Sequence, residues 1–76
     1  MDYDEELDVR GQVCPYPSLR TRQALMKMAP GKVLKVILDH PPAKDNVRRE
    51  VDKMGHEFLG IEDNDGEWSL YFRVVR

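Results

Sequence analysis

The sequence is short of thiols: its 76 residues include one cysteine, Cys14. No intramolecular disulfide can form, so small disulfide-stapled scaffolds are excluded and the core must hold without cross-links. Any covalent sulfur chemistry has to run between molecules. Histidine is also scarce, with only His40 and His56, and one Cys plus two His fall short of a four-ligand zinc site. No metal or cofactor is expected. Long apolar runs are missing as well. No run exceeds three residues, and even the Val33 to Leu38 stretch, broken by Lys35, falls far below the ~20 residues that span a bilayer. The N-terminus, Met1-Asp2-Tyr3-Asp4-Glu5-Glu6, is acidic where a secretory signal is basic and then apolar. These absences lead to the expectation of a cytoplasmic protein with no membrane association.

What is present fits one domain over residues 1–76, with 41% hydrophobic and 34% charged residues. A chain this short buries only ~60% of the surface its unfolded form exposes, so its core must be efficient. The net charge of −2 argues against a general nucleic-acid binder. The charges are segregated. Residues 1–9 carry Asp2, Asp4, Glu5, Glu6 and Asp8 with no base, whereas 10–38 carry Arg10, Arg20, Arg22, Lys27, Lys32 and Lys35 with no acid. Cys14 falls inside the basic stretch.

Local patterns supply the elements. Leu7 and Val9 alternate with Asp8 and Arg10 as a short strand, and Gly11 allows a turn. A helical segment then runs to about Met28 with Thr21, Ala24, Leu25 and Met28 inward, and Pro30-Gly31 stops it. Val33 to Leu38 reads as a buried strand that His40-Pro41-Pro42 breaks. Residues 44–54 place Val47, Val51 and Met54 on one helical face, with Asn46 available as a cap at the start and Gly55 at the end. Phe58, Leu59 and Ile61 suggest a third strand, and Asp63-Asn64-Asp65-Gly66 a hairpin turn. Glu67 to Val75 alternates as the last strand, with Trp68, Leu70, Phe72 and Val74 on one face and Tyr71 on the other. The βαβαββ order, with right-handed crossovers, predicts a two-layer α/β sandwich: a mixed four-stranded sheet, both helices on one face, and the other face open.

Cys14-Pro15-Tyr16-Pro17 carries the chemistry. A following proline pushes Cys14 toward extended geometry, and Pro15 suits the first helical position, although Pro17 moves the true start toward itself. Either way the sulfur lies near a helix N-terminus, where the dipole and free amides favour thiolate over thiol. The competing reading is a small buried hydrophobe, the usual role of a lone cysteine.

Leu7-Asp8-Val9-Arg10-Gly11 followed by Cys14-Pro15-Tyr16-Pro17 resembles the N-terminal Cys-Pro-x-Pro signature of the TusA/SirA-like sulfur carriers. The likeness continues through Met28-Ala29-Pro30-Gly31-Lys32, the Asp39-His40-Pro41 turn and Gly55-His56-Glu57, covering almost the whole chain. Gln12 stands where that family commonly has leucine, and Asp45-Asn46-Val47-Arg48 departs from its usual Asp-Ile-Pro. The resemblance implies a βαβαββ sandwich and a sulfurtransferase function in which Cys14 carries sulfur as a persulfide. The donor would be a cysteine desulfurase or rhodanese and the acceptor another protein. It also implies supporting roles for Gly11, Pro15 and Pro17. With no second thiol, nothing in the chain can resolve the persulfide as a disulfide.

Arg10, Arg20, Arg22 and Lys27 read either as helix-face solubilisers or as a docking patch that steers acidic partners. His40 and His56 are read as structural, and Met26, Met28 and Met54 as core filler. A monomer is expected. The alternative function is a non-catalytic interaction or regulatory module acting through the open sheet face. Stable nucleic-acid binding is not expected, because Tyr71 is the only aromatic assigned to the outer face of the last strand.

Overall fold

The computed structural model describes residues 3–12 and 16–75. Its elements are β1 (Glu5–Asp8), α1 (Tyr16–Met26), β2 (Val33–Leu38), α2 (Pro41–Met54), β3 (Glu57–Asn64) and β4 (Glu67–Arg73). The sheet order is β1-β2-β4-β3, with β1 parallel to β2 and β4 antiparallel to both β2 and β3. This is the expected mixed four-stranded sheet in βαβαββ order, with α1 and α2 packed on one face. The order leaves β1 and β3 as the two edges.

The register explains the core. Leu34 lies opposite Phe72 and Phe72 opposite Phe58, while Val36, Leu70 and Ile61 form the next row. Leu25 of α1 and Ala43, Val47 and Val51 of α2 close over these rows. Phe72 is fully buried, and its ring stands 5.5 Å from that of Phe58. Thr21, the one polar residue buried on α1, donates its hydroxyl to the Pro17 carbonyl at 2.8 Å. That bond removes the cost of burying the hydroxyl.

Several boundaries differ from the sequence reading, each for a local reason. β1 begins at Glu5, two residues earlier than the apolar alternation suggests, because an edge strand exposes most of its side chains. Pro41 and Pro42 begin α2 at its first turn, where a missing N–H costs nothing. His40 is consequently the N-cap, and Asn46 lies inside the helix, where it cannot cap it. Gly55 takes the left-handed conformation and donates to Asp52 and Val51 carbonyls, the predicted C-cap. Asp65 and Gly66 both have positive φ, the signature of a two-residue type I′ hairpin. A bulge interrupts β3 between Phe58 and Gly60.

The outer sheet face is less open than expected. Tyr71 is only 3% exposed. The Tyr3 ring lies 6.4 Å from it, Lys35 sits 5.0 Å above Tyr3, and Glu6 reaches Lys35 at 3.8 Å. Burial, followed by hydrogen bonding to Glu62, pushes the Tyr71 hydroxyl up to about 12.

Candidate functional site

The parallel strands β1 and β2 end at the same rim of the sheet, and α1 and α2 begin there. Right-handed β-α-β connections produce this arrangement, and it puts two positive helix ends on one side of the molecule. Cys14, with Val13 and Pro15, lies outside the described residues. Both roots of the segment that carries it are described.

The incoming root is tied down at each residue. Val9 is buried, and its amide donates to Ile37 at 2.8 Å, continuing the ladder past β1. The Arg10 guanidinium donates to both carboxylate oxygens of Asp8, at 3.0 and 2.8 Å, and reaches Glu67 at 3.5 Å. Its side-chain hydrogen bonds hold the Asp8 carboxyl at about 2, well below the usual range. Gly11 has φ +80 and donates its amide to Asp39 Oδ1 at 2.9 Å, tying the turn to the end of β2. A Cβ on Gly11 would meet no atom within 4 Å, so the requirement for glycine is conformational rather than steric. Gln12 donates its amide to Val9, while its buried carboxamide oxygen has no hydrogen-bond partner among the described residues.

The outgoing root is anchored by Pro17, which is buried directly after the exposed Tyr16. No acid occupies the first turn of α1, so its positive end is not neutralised by its own side chains.

The four candidate docking bases do not form one patch. Arg10 is half-exposed and compensated by Asp8 and Glu67. Arg22 faces Glu50 of α2 at 3.8 Å. Arg20 and Lys27 line a groove of about 420 Å³ between α1 and the β1 edge, floored by Leu7, Ala24, Met28 and Leu34 with Glu5 and Glu6 opposite. The sequence reading missed the apolar residues between these bases. Tyr16, Leu19 and Met26 project outward from α1, 58%, 47% and 69% exposed. Met26, expected in the core, is one residue past the buried Leu25, and that ~100° step turns it to solvent. Met28 and Met54 do pack against the core. The outward spacing of 16, 19 and 26 was legible in the sequence once the inward set 17, 21 and 25 was fixed.

His56 accepts a hydrogen bond from the Val75 amide through Nδ1 at 3.2 Å, a structural contact, and His40 caps α2 without a side-chain hydrogen bond. Among the described residues no cluster of His, Cys, Asp and Glu could hold a metal, and no helix is long and apolar enough to cross a membrane.

Residues 5–74 match the family model described as Sulfurtransferase TusA. A protein of Thermotoga maritima described as "Putative sulfur carrier protein" is 46% identical over 69 residues, covering 90% of this chain and 87% of the relative. One of the same description from Archaeoglobus fulgidus is 40% identical over 74 residues, covering 96% and 84%. The crystal structure of a SirA-like protein from Desulfitobacterium hafniense superposes with a TM-score of 0.84 at 26% identity, covering 96% of this chain and all of that one.

Proposed function

The chain belongs to the sulfurtransferase TusA family, and from that premise we propose that it relays sulfur between proteins as a persulfide on Cys14. In the first step the Cys14 thiolate attacks the outer sulfur of a donor persulfide of the cysteine desulfurase or rhodanese type. A new S–S bond forms at Cys14 as the donor's S–S bond breaks, and the donor cysteine leaves as thiolate. In the second step an acceptor cysteine thiolate attacks the outer sulfur of Cys14–S–SH and releases the Cys14 thiolate. The sulfane sulfur moves with no net change in oxidation state, so no electron carrier is needed. Thiolate attack and departure both benefit from positive potential around the sulfur.

The observation that carries this reading is the rim: the segment whose sequence holds the chain's one cysteine leaves a tied root and leads into the unneutralised start of α1. Gly11 and Pro17 serve as fixed ends of the segment, and Pro15 stiffens it. The outward face of α1, with Tyr16, Leu19 and Met26 among Arg20, Arg22 and Lys27, suits partners that are apolar and acidic. In this reading the protein acts as a cytoplasmic monomer. Both sheet edges carry acids (Glu5, Glu6 and Asp8 on β1; Glu57, Glu62 and Asp63 on β3), which opposes edge-to-edge pairing of copies.

Intact-mass spectrometry tests the proposal. Incubation with a cysteine desulfurase and cysteine should add one sulfur atom to the wild type and none to Cys14→Ser. An unmodified Cys14 after exposure to both desulfurase and thiosulfate-charged rhodanese would falsify it. The alternative, a non-catalytic module acting through the outer sheet face, predicts that Cys14→Ser leaves partner binding and phenotype unchanged. It has less support, since Tyr3, Lys35, Tyr71 and Glu62 already engage one another on that face.

A further inference from the structure

Away from the sulfur rim, α2 and the edge strand β3 enclose a hollow of about 270 Å³ lined by Lys44, Asp45, Arg48, Phe58, Ile61 and Leu70. Its floor is apolar, and Ile61 is 44% exposed there, a large aliphatic side chain left uncovered by the fold. Two cations line the hollow, Arg48 over its floor and Lys44 over the neighbouring Trp68. Lys44 Nζ lies 4.7 Å from the centre of the Trp68 ring, and the Arg48 guanidinium lies 4.4 Å from the centre of Phe58. They are four residues apart on one face of α2. Among the described residues the ion pairs involve Arg10, Arg22, Lys35 and Arg73, and none involves Lys44 or Arg48. Asp45 is the one acid on the rim, and it is exposed.

We propose that this hollow is a docking site for a partner-protein segment that presents a carboxylate beside an aromatic or aliphatic side chain. A ring contact takes up none of a guanidinium's N–H hydrogen-bonding capacity, so Arg48 retains the donors that can grip a carboxylate in bidentate fashion. The apolar neighbour of that carboxylate would cover Ile61 and Phe58. Addition of a whole strand to β3 is a poorer fit, because the bulge between Phe58 and Gly60 breaks the ladder near the start of the edge strand, beside the hollow. A second copy of this chain fits poorly too, because Glu57, Glu62 and Asp63 would face their own counterparts.

The site bears on the relay through its place in the fold. Lys44 lies near the start of α2, and Trp68 sits opposite Leu38 at the end of β2, next to the root tied by Asp39. The hollow therefore flanks the rim on the β3 side, while the outward face of α1 lies toward β1. A carrier must meet a second protein after the first, and this proposal rests on the persulfide reading in that respect alone.

The test needs no sulfur chemistry, so it can fail independently of the persulfide reading. Trp68 is the only tryptophan and serves as the reporter. In an extended segment residues two apart share a face, so the probe is the capped peptide acetyl-Gly-Phe-Ala-Glu-Gly-amide, with Gln replacing Glu as control. Titration into the full chain should give saturable Trp68 fluorescence and amide NMR shifts at residues 44, 48, 58 and 61. The Glu peptide should bind about fivefold tighter than the Gln peptide, an advantage removed by high salt. Lys44→Ala and Arg48→Ala should each weaken the Glu peptide about threefold and leave the Gln peptide unchanged. Equal affinity for the two peptides, no saturable change, or shifts confined to α1 would each overturn the proposal.

Discussion

The two helices occupy equivalent places in the fold and present opposite surfaces. Each buries one residue per turn: Pro17, Thr21 and Leu25 in α1, and Ala43, Val47 and Val51 in α2. On its outward side α2 carries Asp45, Arg48, Arg49, Asp52 and Lys53. The outward side of α1 carries Tyr16, Leu19 and Met26 instead. Burial on α2 thus follows sequence pattern closely, whereas α1 spends apolar residues where the core gains nothing from them. A helix built that way next to the cysteine in sequence supports the docking role proposed for it, whereas α2 commits its apolar residues to the core and offers Lys44 and Arg48 at its flank.

Substitutions can break that contrast, beginning with the largest effect. Val47→Asp buries an unpaired charge in the centre of α2 and should cost more than ~3 kcal/mol, enough to unfold a domain of this size. Loss of the cooperative transition in circular dichroism checks it. The double change Leu19→Ser and Met26→Ser on α1 should shift stability by less than ~0.5 kcal/mol. The same variant should slow persulfide loading by a desulfurase about tenfold, since exposed apolar anchors carry most of a docking energy. If loading is unaffected, the outward face of α1 has no docking role.

A third change sharpens the account of the rim. Gln12→Leu replaces a buried oxygen that lacks a partner with an apolar group and should raise stability by about 1 kcal/mol, read as a higher urea midpoint. The smallest effects are those of pH. Asp8 has its folded-state carboxyl held at about 2, so its contribution is complete above the unfolded value and is lost as pH falls toward 2. Asp8→Asn should therefore flatten the stability profile between pH 4 and pH 2, measured as urea midpoints across that range. Tyr71 runs the other way. Its hydroxyl is raised from 10.0 to about 12, so its contribution is complete below pH 10 and fades as pH climbs through that window. Tyr71→Phe should abolish that alkaline loss.

Much of the fold was legible because its signals are local. Gly11, Pro30-Gly31, Gly55 and Asp65-Gly66 mark turns or caps through their own backbone preferences, and apolar periodicity identified the strands and helices between them. The reading failed where a residue had two local meanings. Pro41-Pro42 both ends a strand and begins a helix, and only the structure shows that α2 starts there rather than three residues later. Met26 is apolar at a position one step beyond the inward stripe, so composition assigned it to the core and geometry turned it out. Tyr71 was placed correctly on the outer face, yet its burial depends on Tyr3, Lys35 and Glu62 from three other segments.

The sequence by itself determined that one thiol is available for sulfur chemistry, that it precedes a proline-marked helix start in the chain, and that the elements would follow in βαβαββ order. These are properties of neighbours along the chain. Tertiary structure decided which charges remain free. Arg10 belongs to a basic run in the sequence, but folding brings Glu67 to it from 57 positions away. Lys44 and Arg48 look like ordinary members of a charged face until the fold sets them over Trp68 and Phe58. Electrostatic partners are chosen by distance in space, and the chain order of a sheet that runs β1-β2-β4-β3 does not supply that distance.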